Sequence, residues 1–120
     1  MKLDLSNKGF LMVHPDWQIK ALEVLWESNV GLLSRDVWIK VNEKLKPEKI
    51  SRASVINFLN YMLDLGVLSG VDETGKGGHR MRYSPAMNRQ EYKLHITETA
   101  IMTLKENYPA ELAEAVKSLT

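Results

Sequence analysis

Within two helical turns the chain places Ser51, Arg52, Ser54 and Asn57. These are two hydroxyls, a guanidinium and an amide, whose shared chemistry is hydrogen bonding to oxyanions and to polar ring edges. Lys44, Lys46 and Lys49 precede this group and Lys76, His79, Arg80 and Arg82 follow it, so cations bracket it on both sides. Residues 44–93 hold nine Lys and Arg against five Asp and Glu, whereas residues 1–43 hold five against six and residues 94–120 two against four. The net charge of +1 therefore conceals a local positive excess, and that is where a polyanion would be met.

Other chemistries find little support. There is no cysteine, hence no thiolate nucleophile, disulfide or thiolate metal site. His14, His79 and His95 are far apart and lack ligand spacing, so neither a metal nor another cofactor is expected. The run Gly75-Lys76-Gly77-Gly78 lacks the strand-then-helix context of a phosphate-binding loop. With no paired carboxylates or nucleophile-base constellation either, the expectation is a protein that is not an enzyme.

The polar group needs elements to hold it. Trp17, Ala21, Leu22, Leu25 and Trp26 recur at helical spacing over residues 15–28, with Pro15 in the first turn and Asp16 favouring that end. The two tryptophans lie within the apolar stripe, which assigns them to packing. Gly31-Leu32-Leu33 reads as a short strand, and Ser34 as the cap of a second helix to about Leu45 with Val37, Trp38, Val41 and Leu45 inward. Pro47 marks a turn. Ser51 then caps a third helix, in which Val55, Leu59 and Met62 share a face, and Gly66 stops it.

Residues 67–73 and 80–84 read as two antiparallel strands joined by the glycine-rich connection. At the N-terminus, Leu3 and Leu5 alternate with polar residues before Asn7-Lys8-Gly9, the pattern of a small hairpin or an extended arm. Two further helices are expected, over residues 89–107 and from Pro109 onward. The order is that of a helix-turn-helix with an appended hairpin, a winged helix, mainly α with a small β-hairpin. In such folds the third helix enters the major groove of double-stranded DNA, its N-terminal residues toward the bases. Lys46, Lys49, Ser51, Arg52, Ser54 and Asn57, with Lys76, His79, Arg80 and Arg82 of the wing, are thus the candidate DNA-contacting residues. Phosphate contacts at the two ends dominate this reading over a long base code.

Residues 50–68, Ile50-Ser-Arg-Ala-Ser-Val-Ile-Asn-Phe-Leu-Asn-Tyr-Met-Leu-Asp-Leu-Gly-Val-Leu68, follow an Ile/Leu-rich first helix bearing Trp17 and Trp26. Together they resemble the winged-helix repressors of the penicillinase-repressor (BlaI/MecI/CopY-like) family, with MarR-like regulators a looser second match. Ser54, Val55, Asn57, Leu59, Met62 and Gly66 stand where that family carries its hydroxyl, core and glycine residues, and the resemblance covers residues 16–83. It implies a repressor of transcription that acts as a homodimer through its C-terminal helices. Ile56, Tyr61 and Leu65 replace residues that tend to be basic in the family. The C-terminal helices also lack an Asn-Phe pair of the kind cleaved in repressors of antibiotic resistance, so a β-lactam response is not implied.

Independently of the resemblance, Ile101, Leu104, Tyr108, Leu112 and Val116 form an apolar stripe that must be buried somewhere, and a twofold dimer would bury it. The expected organisation is an N-terminal arm or hairpin (1–14), a winged-helix DNA-binding domain (15–85) and a dimerisation region (86–120). The alternative is a winged-helix protein-interaction module of a larger assembly. No apolar run reaches transmembrane length, and Asp4, Lys8 and Gly9 break up the first thirteen residues, so no signal peptide is expected and the default compartment is cytoplasmic.

Overall fold

A computed structural model describes residues 1–75 and 77–120; Lys76, expected at the wing tip, lies outside the described residues. The chain forms two compact units, Met1–Asn88 and Arg89–Thr120. The first holds α1 (Asp16–Glu27), β1 (Leu32–Leu33), α2 (Ser34–Leu45), α3 (Arg52–Asp64), β2 (Leu68–Gly75) and β3 (Gly78–Pro85). The second holds α4 (Arg89–Asn107) and α5 (Pro109–Leu119). Helix, strand, helix, helix and hairpin in this order make a winged helix, as the periodicity predicts.

The three helices of the first unit close around the side chains that the 3.6-residue period selects. Ala21, Leu22, Val24 and Leu25 of α1, Val37 and Val41 of α2, and Val55, Phe58, Leu59 and Met62 of α3 are all buried. Truncating such a residue, Leu59→Ala for instance, is expected to cost about 2–5 kcal/mol through lost burial and the cavity left behind. Trp17 meets Phe58 edge-on with ring centroids 5.5 Å apart, and Trp26 packs on Phe10 at 5.7 Å while its indole N–H donates to the Met87 carbonyl at 2.9 Å. Both tryptophans are therefore packing residues.

Two helix starts decide where the polar side chains point. Ser51 Oγ accepts the Ser54 N–H at 3.1 Å, the N-cap bond expected there. At α2 the cap is not Ser34. β1 runs straight into the helix, Leu33 holds the cap position without a cap hydroxyl, and Asp36 Oδ2 accepts the Leu33 N–H at 3.1 Å, the third-residue half of a capping box. Pro15 likewise stands just outside α1 in an extended conformation instead of in its first turn. The connection from α2 to α3 is clamped by Asn42, whose Oδ1 accepts the Ile50 N–H at 2.8 Å and whose amide donates to the Ile50 carbonyl at 3.2 Å, joined there by the Trp38 indole at 2.9 Å. Gly66, at φ +77°, ends the turn after α3, where a side chain would be strained.

The sheet is antiparallel with β3 in the centre, in the order β1-β3-β2. β2 and β3 pair from Leu68 opposite Pro85 to Gly75 opposite Gly78; β3 is longer at both ends than the alternation alone predicts, while β2 starts one residue later and ends two residues later. The N-terminal hairpin does not form. Asp4 draws its neighbours inward instead, its carboxylate accepting from the Ser6 N–H at 2.9 Å and the Asn7 amide at 2.7 Å. Residues Gly9–Met12 then make a 3-10 turn, and the Asp4 N–H closes the loop onto the Met12 carbonyl at 2.6 Å. Leu3 and Leu5 thus have no partner strand to alternate against.

Candidate functional site

Arg52 opens α3 and Arg35 is the second residue of α2. A cation at a helix N-terminus opposes the helix macrodipole and loses about 0.3–1 kcal/mol there, so neither position is explained by helix stability. Among the described residues neither guanidinium has a carboxylate within ion-pair distance. Both line one recess of about 310 Å³, together with Leu33, Ser34, His79, Arg80, Met81 and Tyr83. The fold thus gathers three arginines and a histidine from two helix starts and the central wing strand into a single concavity. The donors that line it are guanidinium N–H groups, whose chemistry suits an oxyanion.

The wing cations have different fates. Arg82 Nε and a terminal nitrogen grip the two Glu73 oxygens at 2.8 and 3.0 Å, and its other terminal nitrogen donates to the Gly31 carbonyl at 3.0 Å. The Glu73 bond holds the Arg82 guanidinium above its ordinary pKa, and the same bond pulls the Glu73 carboxyl below its own. Arg82, expected among the DNA-contacting residues, is therefore a brace that ties the hairpin to the start of β1. Arg80 lies 3.8 Å from Glu73 and stays exposed, as does His79. Gly31 fits the brace closely: a Cβ there would come within 2.7 Å of Arg82 Cγ.

The residues upstream of α3 divide as well. Lys44 pairs with Glu27 of α1 at 3.2 Å, so it belongs to the helix packing. Lys46 and Lys49 are exposed and border a different, open cleft of about 330 Å³ with Trp38, Ile39 and Pro47. They are not brought into the arginine recess. Ser51 spends its oxygen on the cap and donates its proton to Ser54 Oγ at 2.8 Å, leaving the Ser54 hydroxyl proton for an outside acceptor. Asn57 is exposed on the face of α3 opposite the core.

The sequence reading passed over two contributors. Arg35 carried a legible signal, a cation placed against the dipole of a helix start. Asn60 did not. Its Oδ1 accepts the hydroxyl of Tyr83 at 2.7 Å, a contact between α3 and β3 across 23 positions of sequence. Tyr83 is buried, and burial raises its pKa, which keeps the phenol protonated.

Comparison with known proteins agrees at the level of the fold. No family model matches the chain, and no curated protein matches it. Among solved structures it is similar to the ferric uptake regulator Fur of Helicobacter pylori, described as having three functional metal binding sites, with 26% identity and a TM-score of 0.50. The match covers 62% of this chain and 47% of Fur, so the chain spans less than half the length of that protein. The similarity is to a winged-helix regulator, and it does not single out the penicillinase-repressor family.

Proposed function

We propose that this protein binds double-stranded DNA as a homodimeric transcriptional regulator, with α3 in the major groove and the wing along the backbone. The observation that carries the reading is the recess of Arg35, Arg52, His79 and Arg80, a seat for a phosphate beside the exposed face of the third helix. The similarity to Fur, a regulator, supports the same reading, and the resemblance to the penicillinase repressors adds repression as its sign. Residues 15–85 would serve DNA and residues 86–120 the dimer. Of the residues named from the sequence, Arg52, Ser54, Asn57, His79 and Arg80 remain as contacts, Lys46 and Lys49 flank them, and Arg35 joins them.

Among the described residues no group of three or more His, Cys, Asp or Glu side chains is placed to hold a metal ion.

Salt titration of binding to duplex DNA tests the proposal. If the dimer neutralises six to ten phosphates, affinity falls about 10³ to 10⁵-fold between 50 and 200 mM salt. Arg35→Ala and Arg52→Ala each lower the slope of log affinity against log salt by about one per protomer. Affinity that ignores salt, or a double variant that binds like the wild type, would transfer the recess to a protein-interaction role.

A further inference from the structure

Asn57 and Asn60 both lie on the face of α3 opposite its buried line of Val55, Phe58, Leu59 and Met62, and both are exposed. They are three positions apart, about 4.5 Å along the helix axis. A base pair rises about 3.4 Å, so the two amides address neighbouring pairs when α3 lies in the groove. Ala53, one turn before Asn57 on the same face, has no bulk to hold the helix away from the base edges. Asp64 at the far end repels phosphate and confines the reading face to the first three turns.

Chemically the two amides are not equivalent. Reading adenine with an asparagine takes both edges of the amide, its N–H toward N7 and its oxygen toward the N6 amino group. The Tyr83 hydroxyl is buried and must place its proton on an acceptor, and Asn60 Oδ1, at 2.7 Å, is that acceptor. This fixes the amide's orientation: the oxygen edge is turned to Tyr83, and the two N–H donors lie on the other edge. Among the described residues Asn57 has no such tether. Guanine, with O6 and N7 side by side, offers a donor-only group two acceptors; adenine N7 and thymine O4 offer one each, and cytosine, with only a donor, offers none.

We infer that Asn60 is a base-specificity residue that favours guanine as a donor-only reader, and that Tyr83 is the positioning residue that denies it the two-bond contact with adenine. The inference rests on the DNA-binding reading and adds to it which base is read and what decides the choice. It also gives the wing's central strand a role in specificity through a bond that touches no DNA.

The test is selection from random duplex DNA at physiological salt by the full chain, comparing wild type, Asn60→Ala and Tyr83→Phe. Wild type is expected to enrich a motif with guanine next to the position read by Asn57. Asn60→Ala levels that column and leaves the others. Tyr83→Phe releases the oxygen edge and raises adenine over guanine in that column by about tenfold, a change that lost stability alone would spread over all columns. An unchanged motif in Asn60→Ala, or uniform weakening in Tyr83→Phe, overturns the inference while salt-dependent binding stands. Should Tyr83→Phe fail to fold, the exposed Asn60→Ala decides alone. A wild type that enriches no sequence overturns the specificity claim, and salt-insensitive affinity beside it overturns the DNA reading as well.

Discussion

A single side chain explains itself when its cost is visible and its local benefit is not. Arg35 and Arg52 at helix starts meet that condition, and Arg82, held by Glu73 and Gly31, does not. His14 is the opposite case, a titratable group turned inward: it is 5% exposed, its Nδ1 lies 2.7 Å from Gln18 Oε1, and its ring meets Phe58 edge-on at 5.5 Å. Burial lowers its pKa from the ordinary 6.5, the Gln18 bond partly opposes this, and the N-terminal ammonium adds to the lowering. Because the folded value is the depressed one, both states are neutral above 6.5 and the stabilisation is complete there. As pH falls the unfolded chain takes up its proton first, and the stabilisation is lost down through the folded pKa. The urea midpoint of the wild type should therefore fall between pH 7.5 and 5.5. His14→Phe keeps the aromatic contact without the titration and should show a smaller fall. Equal falls in the two proteins would show that His14 is not the group responsible.

Among the elements, the helices were legible because their signals are local: a period of 3.6, an acid or hydroxyl at the start, Gly66 at the stop. Ser51 is read correctly for that reason. Ser34 is misplaced by one residue because β1 feeds directly into α2, and that junction is made by Arg82 of β3, far along the chain. The N-terminal alternation misled for a related reason, since a β pattern makes a strand only where a partner edge exists, and Asp4 offered Ser6 and Asn7 a tighter local arrangement. The wing's brace was illegible altogether, since it joins Arg82 to Glu73 and to Gly31 across 9 and 51 positions. It leads to a prediction at this scale. In Arg82→Gln the β2 and β3 amides should exchange with solvent faster while the core amides of α1 to α3 keep their protection. DNA affinity should fall through the loosened wing with the salt slope unchanged, whereas Arg80→Ala should lower the slope by about one. Unaltered exchange in β2 and β3 would remove the brace from the account.

For the whole molecule, the question is what covers the second unit. Arg89–Thr120 is two helices, and units below about 40 residues do not usually hold a core without disulfides, metals or oligomerisation. Ile101, Leu104, Tyr108 and Val116 are exposed, Leu112 is half-buried, and Leu94, Met102 and Leu119 are exposed as well. At about 100° per residue the exposed Leu94, Ile101, Met102 and Leu104 of α4 span about 160° of its circumference, so the narrow stripe expected from sequence understates the surface that calls for a partner. A second copy meets this need, because a twofold dimer buries the same face of both chains and sets two α3 helices to a site with twofold symmetry. Ile101→Glu with Leu104→Glu changes two exposed residues of the second unit, so the first unit should stay folded while sedimentation equilibrium shifts from dimer to monomer. Affinity for a palindrome with half-sites about 34–36 Å apart should then drop to that for one half-site, a loss on the order of 10² to 10⁴-fold, with half-site affinity preserved. A variant that still sediments as a dimer would move the interface off α4, and a wild type that is monomeric at micromolar concentration would end the dimer proposal.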